Sequence, residues 1–414
     1  MADLTHLVTS EQVREIVNLV GTPTYFYQER LLRERAQEAL DATQAFGLTV
    51  RYALKANPNR TVLRIFDRMG LHFDASSEEE VYRAISAGII PSKIQLTAQV
   101  IPSGQRLEDL VRSGILLNAC SLHQLDQIGK ANRGGEISVR INPPQGSGAY
   151  AATITGGEDS SFGIWHEEIP LIQRIVRKYD LHVTRLHFHI GSGTDPKIWQ
   201  EVVRMSAEYI KAFSEVIILN IGGGFKVARV EGEKETNMHD CMTAITEEIR
   251  EMKRETGREF HVEIEPGTYL MAKAGGIIAS IRDVKKTTAG NDFLIVDSGM
   301  TDNARPALYG AKHPMMLIAG DERELTSSKV YRIDGQCCES GDTWGKMALA
   351  QARIGDFLVM GATGAYCAGM NIPHYNSHPE SSEVLIGLDG ALRVIREREK
   401  LKDLTRNENI PEGY

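Results

Sequence analysis

Short apolar segments between residues 49 and 267 carry polar side chains at alternate positions. There are eight of them, and they read TVRYALKAN, LHFDASS, KIQLTAQ, ILLNACS, ISVRINP, RLHFHIGS, VIILNIGGG and FHVEIEPG. Positions i and i+2 of a strand point to the same face. In the first segment Arg51, Ala53 and Lys55 therefore share a face, and in the last Glu263 pairs with Glu265. Eight strands with one apolar and one polar face each indicate a barrel whose interior binds something charged.

Helical segments alternate with these strands. Apolar residues spaced three and four apart predict a helix over 29–46, directly after a strand candidate at 22–27. Ser77 and Ser121 each begin a pattern typical of a capping box at a helix start. Alternating strands and helices predict a parallel sheet with right-handed crossovers. Eight such units fit a (β/α)8 TIM-like barrel better than an open doubly wound sheet, which stays the alternative.

The pattern changes after residue 275. The runs GIIASIRDV, DFLIVDSG, KVYRID and DFLVM are separated by turn residues, and GLDGALRVI has the Asp-Gly signal of a hairpin. We therefore expect three parts: a barrel over 29–275, a mostly β domain with a charged tail over 276–414, and a segment over 1–28. The strand candidate in that first segment has no place in the barrel, so we expect it to join the β domain.

Composition narrows the class of protein. The chain has 414 residues, too many for one ordinary core, which favours two domains. A net charge of −8 gives no support for a nucleic-acid partner. No uninterrupted apolar stretch is long enough to span a membrane, and the first residues lack the pattern of a secretory signal. Five cysteines without C-x-x-C spacing favour a reducing cytoplasm and argue against a disulfide scaffold or a zinc site.

Glycine and serine at two strand ends suggest a phosphate site. Ligands of parallel barrels bind at the carboxyl ends of the strands. Gly222, Gly223 and Gly224 follow an apolar run there, and residues without Cβ let backbone N–H groups converge on an anion. Ser192, after HIG at a neighbouring strand end, offers another donor. A plain tight turn is the alternative, and these residues alone support the two interpretations about equally.

Lys55 is the strongest candidate for a reactive residue in the barrel segments. A lysine inside an apolar strand is costly unless it is paired or covalently used, although most lysines are solvated or salt-bridged. Asp74, His189 and Glu265 lie at matching ends of other strands. An amine, a phosphate cradle and a carboxylate in one barrel mouth are what pyridoxal phosphate requires. The amine binds its aldehyde, the carboxylate keeps its ring nitrogen protonated, and an imidazole can stack on the ring.

The β domain contributes a further set of reactive residues. Cys338 has two acidic neighbours after it in the sequence, Glu339 and Asp342, which would keep a thiol protonated and able to donate its proton. A buried, inert cysteine is the commoner state. Arg305 and Tyr309, in ARPALYG, could clamp a carboxylate through a guanidinium fork and a hydroxyl.

These segments resemble the fold-type III pyridoxal-phosphate decarboxylases, and most of all the meso-diaminopimelate decarboxylase group. The resemblance extends from about residue 22 to about 395 and rests on motifs in family order: YALKAN, HFHIGSG, IGGGF, EIEPG, RPALYG, CCESGDTW, GAYCAGM and YNSHP. TGGEDSSFGIW at 155–165 also looks like a segment of that family's active site. The resemblance implies a barrel with a C-terminal mostly β domain, as in alanine racemase and ornithine decarboxylase, pyridoxal 5′-phosphate as cofactor, and a homodimer.

The same resemblance implies a role for each matching residue. Cys338 and Glu339 would reach the site of the other subunit. Catalytic roles fall on Lys55, Cys338, His189 and Glu265; cofactor contacts on Lys55, Asp74, Arg140, His189, Ser192, Gly222, Gly223, Gly224, Glu265 and Tyr366; substrate contacts on Arg305, Tyr309, Glu339 and Tyr366.

The implied reaction converts meso-2,6-diaminopimelate to L-lysine and CO2, the last step of lysine biosynthesis. Glu339 after the cysteine suits the distal ammonium of this substrate, whereas ornithine-type relatives typically have Asp there. Arg305 would repel a tail that ends in an amine alone. Glu265 as the partner of the ring nitrogen argues against a racemase, because alanine racemases of this fold type have an Arg there.

Three positions depart from the family pattern. Thr268 follows EPG where Arg is common, His378 stands where Arg is usual, and Ser161 stands where Lys is common. None of the three departures removes a cofactor contact, so we still expect a decarboxylation. The identity of the substrate is left undecided. The alternatives are ornithine, arginine or a carboxylated polyamine such as carboxynorspermidine. A catalytically silent homologue that binds partners is a further alternative, against which Lys55 and Cys338 argue.

Overall fold

The computed structural model describes residues 3–42, 44–144, 156–189 and 191–414. The chain divides into two compact units. The barrel unit consists of Arg33–Ala228 and Lys234–Leu270. The sheet unit consists of the chain up to Leu32, Arg229–Glu233 and Met271–Tyr414.

Eight parallel strands close into the barrel. Their order is β5-β4-β3-β2-β10-β9-β8-β6, and β5 also pairs with β6, so no edge is left and the doubly wound alternative is wrong. A two-residue strand, β7 (Ile164–Trp165), adds to β6. The barrel strands are β2 (Leu48–Ala53), β3 (His72–Ala75), β4 (Ile94–Thr97), β5 (Leu116–Ala119), β6 (Glu136–Asn142), β8 (His182–His187), β9 (Ile218–Asn220) and β10 (His261–Ile264).

The outer face of these strands is apolar and buried against helices. Phe73, Val139, Leu186 and Val262 are fully buried, as the alternation predicts. Removing such a side chain from water stabilises the fold by about 1.5–3 kcal/mol. The helices are α2 (Glu29–Asp41), α3 (Arg60–Arg68), α4 (Glu78–Ser86), α5 (Gln105–Ser113), α6 (Leu122–Ala131), α7 (Ile169–Tyr179), α8 (Lys197–Ile210), α9 (Met238–Thr256) and α10 (Thr268–Met271).

The two predicted serine caps form. The Ser77 hydroxyl accepts the N–H of Glu80 at the start of α4, and Ser121 does the same at the start of α6. The reciprocal bond differs from a capping box, because the Glu80 carboxylate accepts the N–H of Ser76 rather than that of the cap residue. This bond fixes the loop between β3 and α4, at the end of the barrel where the polar strand ends lie.

The sheet unit is built around a mixed sheet. Its order is β15-β14-β12-β11-β1-β17-β18, and β16 joins β11 to β13. The strands are β1 (Thr24–Gln28), β11 (Gly275–Lys286), β12 (Asp292–Val296), β13 (Met315–Ile318), β14 (Ser328–Asp334), β15 (Thr343–Ala350), β16 (Phe357–Met360), β17 (Ser382–Ile386) and β18 (Leu392–Arg396). Three helices, α1 (Ser10–Val20), α11 (Arg305–Tyr309) and α12 (Leu401–Leu404), complete it.

The N-terminal strand lies inside this sheet. β1 pairs antiparallel with β11 and parallel with β17, and Phe26 on it packs in a core with Ile16 of α1 and Val384 of β17. The Asp-Gly turn forms the hairpin β17–β18, with Gly390 at a φ of +76° that favours glycine. Of the helices in the described ranges, none is long and apolar enough to cross a membrane.

Candidate active site

Three polar side chains, those of Gln95, Thr97 and Asn220, donate hydrogen bonds to Glu265 or Asp74 inside the carboxyl end of the barrel. Gln95 Nε2 donates to Asp74 Oδ1 at 3.1 Å and to Glu265 Oε1 at 2.9 Å, so it bridges the two carboxyl groups. Thr97 Oγ1 donates to Asp74 Oδ1 at 2.8 Å, and Asn220 Nδ2 donates to Glu265 Oε1 at 2.7 Å. All five residues are buried. The parallel strands thus hold the two carboxyl groups in one buried hydrogen-bond network.

The two carboxyl groups have different protonation states. Burial, and then the neighbouring Glu265 carboxylate, raise the pKa of Asp74 to about 8. Burial alone would also raise the pKa of Glu265, but the His187 imidazole and the Lys55 ammonium outweigh it and hold this pKa below its usual range. Glu265 is therefore the anion of the pair at neutral pH, and Asp74 carries the proton. A buried carboxylate kept ionised is suited to bind a protonated ring nitrogen.

His187 lies behind Glu265 and is almost fully buried. Its Nδ1 is 2.5 Å from Asn118 Nδ2, which acts as the donor, and its Nε2 is 3.4 Å from Glu265 Oε2. Burial lowers the pKa of His187. With Nδ1 accepting a hydrogen bond, the neutral ring carries its proton on Nε2, which faces the carboxylate.

Lys55 lies just beyond the end of β2, in a 3-10 turn formed by residues 54–56. The expectation of a buried lysine inside a strand is wrong: β2 ends at Ala53 and the Lys55 side chain is exposed. The turn takes Lys55 out of the strand alternation, and its Nζ lies 3.4 Å from Ser76 Oγ. Lys55 lines a cavity of about 630 Å³ together with Asp74, Arg140 and Glu265.

The Gly222–Gly224 turn is held too close to backbone for any side chain. A Cβ on Gly223 would lie 2.2 Å from the carbonyl oxygen of Glu265, and one on Gly224 would lie 2.0 Å from that of Gly191 and 2.8 Å from the Cα of Ser192. Gly224 also has a φ of +89°, in the left-handed region. The turns after β8 and β9 therefore pack backbone against backbone, and the absence of side chains on the glycines leaves room for an anion beside the main chain.

His189 and Arg140 lie next to this turn and to the cavity. Burial, and then Arg140, lower the pKa of His189 to about 3, so the ring is neutral and its Nδ1 accepts the N–H of Gly223 at 3.2 Å. The Arg140 guanidinium carbon lies 5.1 Å from the centre of the Phe162 ring. Phe162 belongs to the SSFG motif, so that motif and Arg140 are close in space.

These groups fit pyridoxal phosphate. The cavity wall supplies an amine in Lys55 and an ionised buried carboxylate in Glu265. The glycine turn is a cradle that a Cβ would fill, and His189, in contact with it, supplies a flat neutral ring. Each requirement of the cofactor thus has a residue that can meet it.

The predicted residues of the sheet unit lie in two groups. Arg305 and Tyr309 begin and end α11, and the guanidinium carbon is 5.8 Å from the centre of the tyrosine ring. Cys338 is exposed, and Asn376 Nδ2 approaches its sulfur at 3.4 Å. Tyr375 donates to Glu339 Oε2 at 2.8 Å, so the CES and YNSHP motifs meet.

The carboxylate of Asp342 has a role that the sequence did not predict. It accepts the N–H of Met300 at 2.6 Å and the N–H of Cys337 at 2.8 Å. Burial, and then Asp342, raise the pKa of the Cys337 thiol to about 12. The expectation that Asp342 acts on Cys338 is therefore wrong, because its oxygens face the preceding cysteine. It ties together the loops that precede α11 and contain Cys338.

The remaining predicted positions are simply located. Tyr366 has a φ of +57° in a loop of the sheet unit. Thr268 is the first residue of α10, and His378 follows a short turn at 375–377. Ser161 accepts a hydrogen bond from Gln99 Nε2 at 2.8 Å, beside the cavity. Thr155, at the start of the TGGEDSSFGIW segment, lies outside the described residues.

Sequence reasoning missed most of the network that supports Glu265. Its members share a signal that was available, because each is a polar residue on the inner alternate face of a barrel strand. They are Gln95, Thr97, Asn118, His187 and Asn220. The alternation marked them as interior, but not which carboxylate each would reach.

Comparison with known proteins agrees with this geometry. The model of the pyridoxal binding domain of the pyridoxal-dependent decarboxylases matches residues 30–272. Diaminopimelate decarboxylase of Escherichia coli K12 is 32% identical over 96% of both chains, and that of Streptomyces coelicolor is 34% identical over 94% of this chain and 90% of its own.

Solved structures extend the likeness to the fold. A diaminopimelate decarboxylase crystal structure superposes with a TM-score of 0.90 at 32% identity over 97% of both chains. The Helicobacter pylori enzyme in complex with L-lysine has a TM-score of 0.86 at 29% identity, over 95% of this chain and 98% of its own. The (β/α)8 barrel with a mostly β domain is thereby confirmed, and the chain belongs to the pyridoxal-dependent decarboxylases, within the group of the diaminopimelate decarboxylases.

Proposed function

We propose that this chain decarboxylates meso-2,6-diaminopimelate to L-lysine and CO2, with pyridoxal 5′-phosphate bound at Lys55. The observation that carries the proposal is the ionised Glu265, buried at the barrel mouth in one cavity with the Lys55 amine. Relatives named diaminopimelate decarboxylase match nearly the whole chain, and one solved relative holds L-lysine, the expected product.

Most of the catalytic work falls on residues of the barrel. When bound, pyridoxal phosphate would supply an electron sink for the α-carbon from which CO2 departs. Glu265 would hold a proton on the ring nitrogen, and Gln95 and Asn220 keep the Glu265 carboxylate in place. Neutral His189 would offer its ring face to the cofactor, and the Gly222–Gly224 backbone and Ser192 would bind the phosphate.

Selection of the substrate falls on residues of the sheet unit. Arg305 has a buried Nε with no hydrogen-bond partner among the described residues, which suits it to accept the distal carboxylate. Glu339 would bind the distal ammonium, and Tyr309 and Tyr366 would complete the contacts. Cys338 would return a proton to the α-carbon, which its exposed thiol allows.

We further propose a homodimer in the cytoplasm. The exposed thiol of Cys338 lies in a loop that Asp342 anchors, which supports the proposal that it reaches the site of a second subunit. All five cysteines are free, which suits a reducing compartment.

Changing Lys55 tests the attachment of the cofactor. Purified Lys55→Ala should lose the visible absorbance of the bound cofactor and lose turnover, with Lys93→Ala as control because Lys93 lies paired with Asp67. Normal activity in Lys55→Ala would refute the assignment.

A panel of amino acids tests the substrate. CO2 release should be fastest from meso-diaminopimelate, and ornithine, arginine and lysine should be poor substrates. A clear preference for ornithine would show that Arg305 and Glu339 have been misinterpreted while leaving the decarboxylase assignment intact.

Mixing two inactive variants tests the shared site. Lys55→Ala and Cys338→Ala chains should regain part of the activity when mixed, since a mixed dimer has one site with both residues intact. Dimers that form without any recovery would contradict the interface proposal.

A further inference from the structure

A second cavity lies at the other end of the barrel, where the strands begin. It measures about 480 Å³, within the size range of small-molecule sites. Its charged and ionisable lining residues are Arg51, His72, Glu136, Arg185, His261 and Glu263. Nothing in the proposed reaction uses this amino-end cavity.

One ion pair in the amino-end cavity is complete. Arg51 donates from Nε and Nη2 to the two oxygens of Glu263, at 2.9 and 2.7 Å, and both side chains are only 3% exposed. This fork-to-fork geometry uses both oxygens of the only buried carboxylate in the lining. Glu263 therefore has little capacity left for a second cation.

Arg185 is the second cation, and it is poorly compensated. Its Nε lies 3.9 Å from Glu263 Oε1, and its Nη1 lies 3.7 Å from Glu136 Oε2, both beyond hydrogen-bond distance. The Glu136 side chain is 67% exposed, while that of Arg185 is 19% exposed. The rim carboxylate is thus largely solvated, and the guanidinium faces the cavity without a matched anion.

Two nitrogens at this cavity are buried and unsatisfied. Arg185 Nε and His72 Nδ1 have no hydrogen-bond partner among the described residues. A buried polar group without a hydrogen-bond partner is destabilising. Both residues line the cavity, where an oxyanion would be a hydrogen-bond acceptor for the guanidinium and for an Nδ1–H tautomer of the imidazole.

We propose that the amino-end cavity is a binding site for a small oxyanion, a carboxylate or a phosphate, held by Arg185 and His72. The closed Arg51–Glu263 pair is part of its lining, and the exposed Glu136 carboxylate competes with the ligand for Arg185. The site is independent of the decarboxylase reaction, because no residue of the Lys55 cavity lines it.

Calorimetric titration of the holoenzyme tests the site. The bound cofactor fills the phosphate cradle at the other mouth, and comparison with Arg185→Gln separates binding in the amino-end cavity from binding at Arg305. Inorganic phosphate and succinate are the two ligands, and chloride at equal ionic strength is the control. Binding of phosphate or succinate should saturate. Arg185→Gln should weaken it at least about tenfold, and Glu136→Gln, which removes the competing carboxylate, should tighten it.

Each result decides the proposal. Whichever anion binds identifies the ligand class, and saturable binding that Arg185→Gln abolishes supports the site. Absence of binding by both anions in the wild type, or equal affinity in Arg185→Gln, overturns it. If Arg185→Gln does not fold, the exposed Glu136→Gln variant decides, since unchanged or weaker binding there contradicts the competition. Decarboxylase activity of the wild type is measured separately, so failure of this site is distinguishable from failure of the proposed function.

Discussion

The substitution Asn220→Asp probes the charge on Glu265 with almost no change of shape. Asn220 is fully buried; its Nδ2 donates to Glu265 Oε1 at 2.7 Å, and its Oδ1 accepts the N–H of Gly222 at 2.9 Å. A carboxyl group at position 220 keeps the second bond. The first bond, to Glu265, is replaced by a contact between a carboxyl oxygen of residue 220 and a carboxyl oxygen of Glu265.

The cost follows from two competing energies. Two unit charges 2.7 Å apart repel by about 6 kcal/mol at an effective dielectric constant of about 20. Protonating an ordinary aspartate at pH 7 costs only about 4 kcal/mol, from a pKa of about 3.9 and about 1.36 kcal/mol per unit. The pair therefore takes up a proton, which also restores the hydrogen bond. The variant should lose about 4 kcal/mol at pH 7, about 3 at pH 6 and about 1.5 at pH 5.

The sign of this pH dependence is fixed by linkage. The pKa of the new carboxyl group is raised in the folded protein. The stability of the variant therefore matches that of the wild type below about pH 4 and falls as the pH rises toward the pKa in the folded state. Guanidinium denaturation followed by circular dichroism, at pH 5, 6 and 7, gives the free energy of unfolding for both proteins. Asn118→Asp is the matched control: it adds the same buried charge beside His187 Nδ1, where the imidazole can take up the proton.

A destabilisation of Asn220→Asp that does not change between pH 5 and 7 would refute this reasoning. It would mean that no proton is taken up, and hence that Glu265 is not the ionised member of the network. A loss in Asn118→Asp with the same pH slope would mean that the barrel interior penalises any charge, whatever its neighbour.

Three further predictions follow from single contacts. Gly224→Ala should lower cofactor occupancy more than about tenfold in absorbance titrations, because the new Cβ would clash with backbone atoms. Gly232→Ala is the control, since Gly232 has a similar φ of +87° but open space around it. This control should lower the free energy of unfolding by only about 1–2 kcal/mol and leave cofactor occupancy unchanged. Asp342→Ala removes the acceptor of two main-chain N–H groups and should destabilise the protein by about 2–6 kcal/mol in denaturant. Arg51→Met should cost about 3–5 kcal/mol because Glu263 is left unpaired, whereas Arg51→Met with Glu263→Met should recover most of that loss; an additive loss would contradict it.

Much of the barrel was predictable from the strand alternation. Polar residues such as Asp74 and Glu265 recur every second position in apolar strands, and that period fixes the interior face. The strands that were missed have no such signal. β13 has only four residues, and β15 is interrupted by Gly345 and the exposed Lys346.

The site was predictable in its residue types and less so in its contacts. Lys55 was identified, but it lies in a 3-10 turn after the end of β2, and residue propensities do not predict this turn. Asp342 stands four residues after Cys338 in sequence, yet a tight loop turns its carboxylate toward Cys337. Side-chain direction inside such loops is set by tertiary hydrogen bonds, which no periodicity encodes.

The pairing of β1 constrains how the chain acquires its structure during synthesis. Thr24 in this strand is bonded to Ser382, 358 positions later, and its other neighbour begins at Gly275. The TYFYQ segment therefore emerges from the ribosome long before β11 and β17, its two pairing partners, have been synthesised. Until then, two unsatisfied edges with aromatic side chains stay exposed to other nascent chains. Synthesis of this protein thus includes a long interval in which the first strand of the sheet unit has neither of its pairing partners.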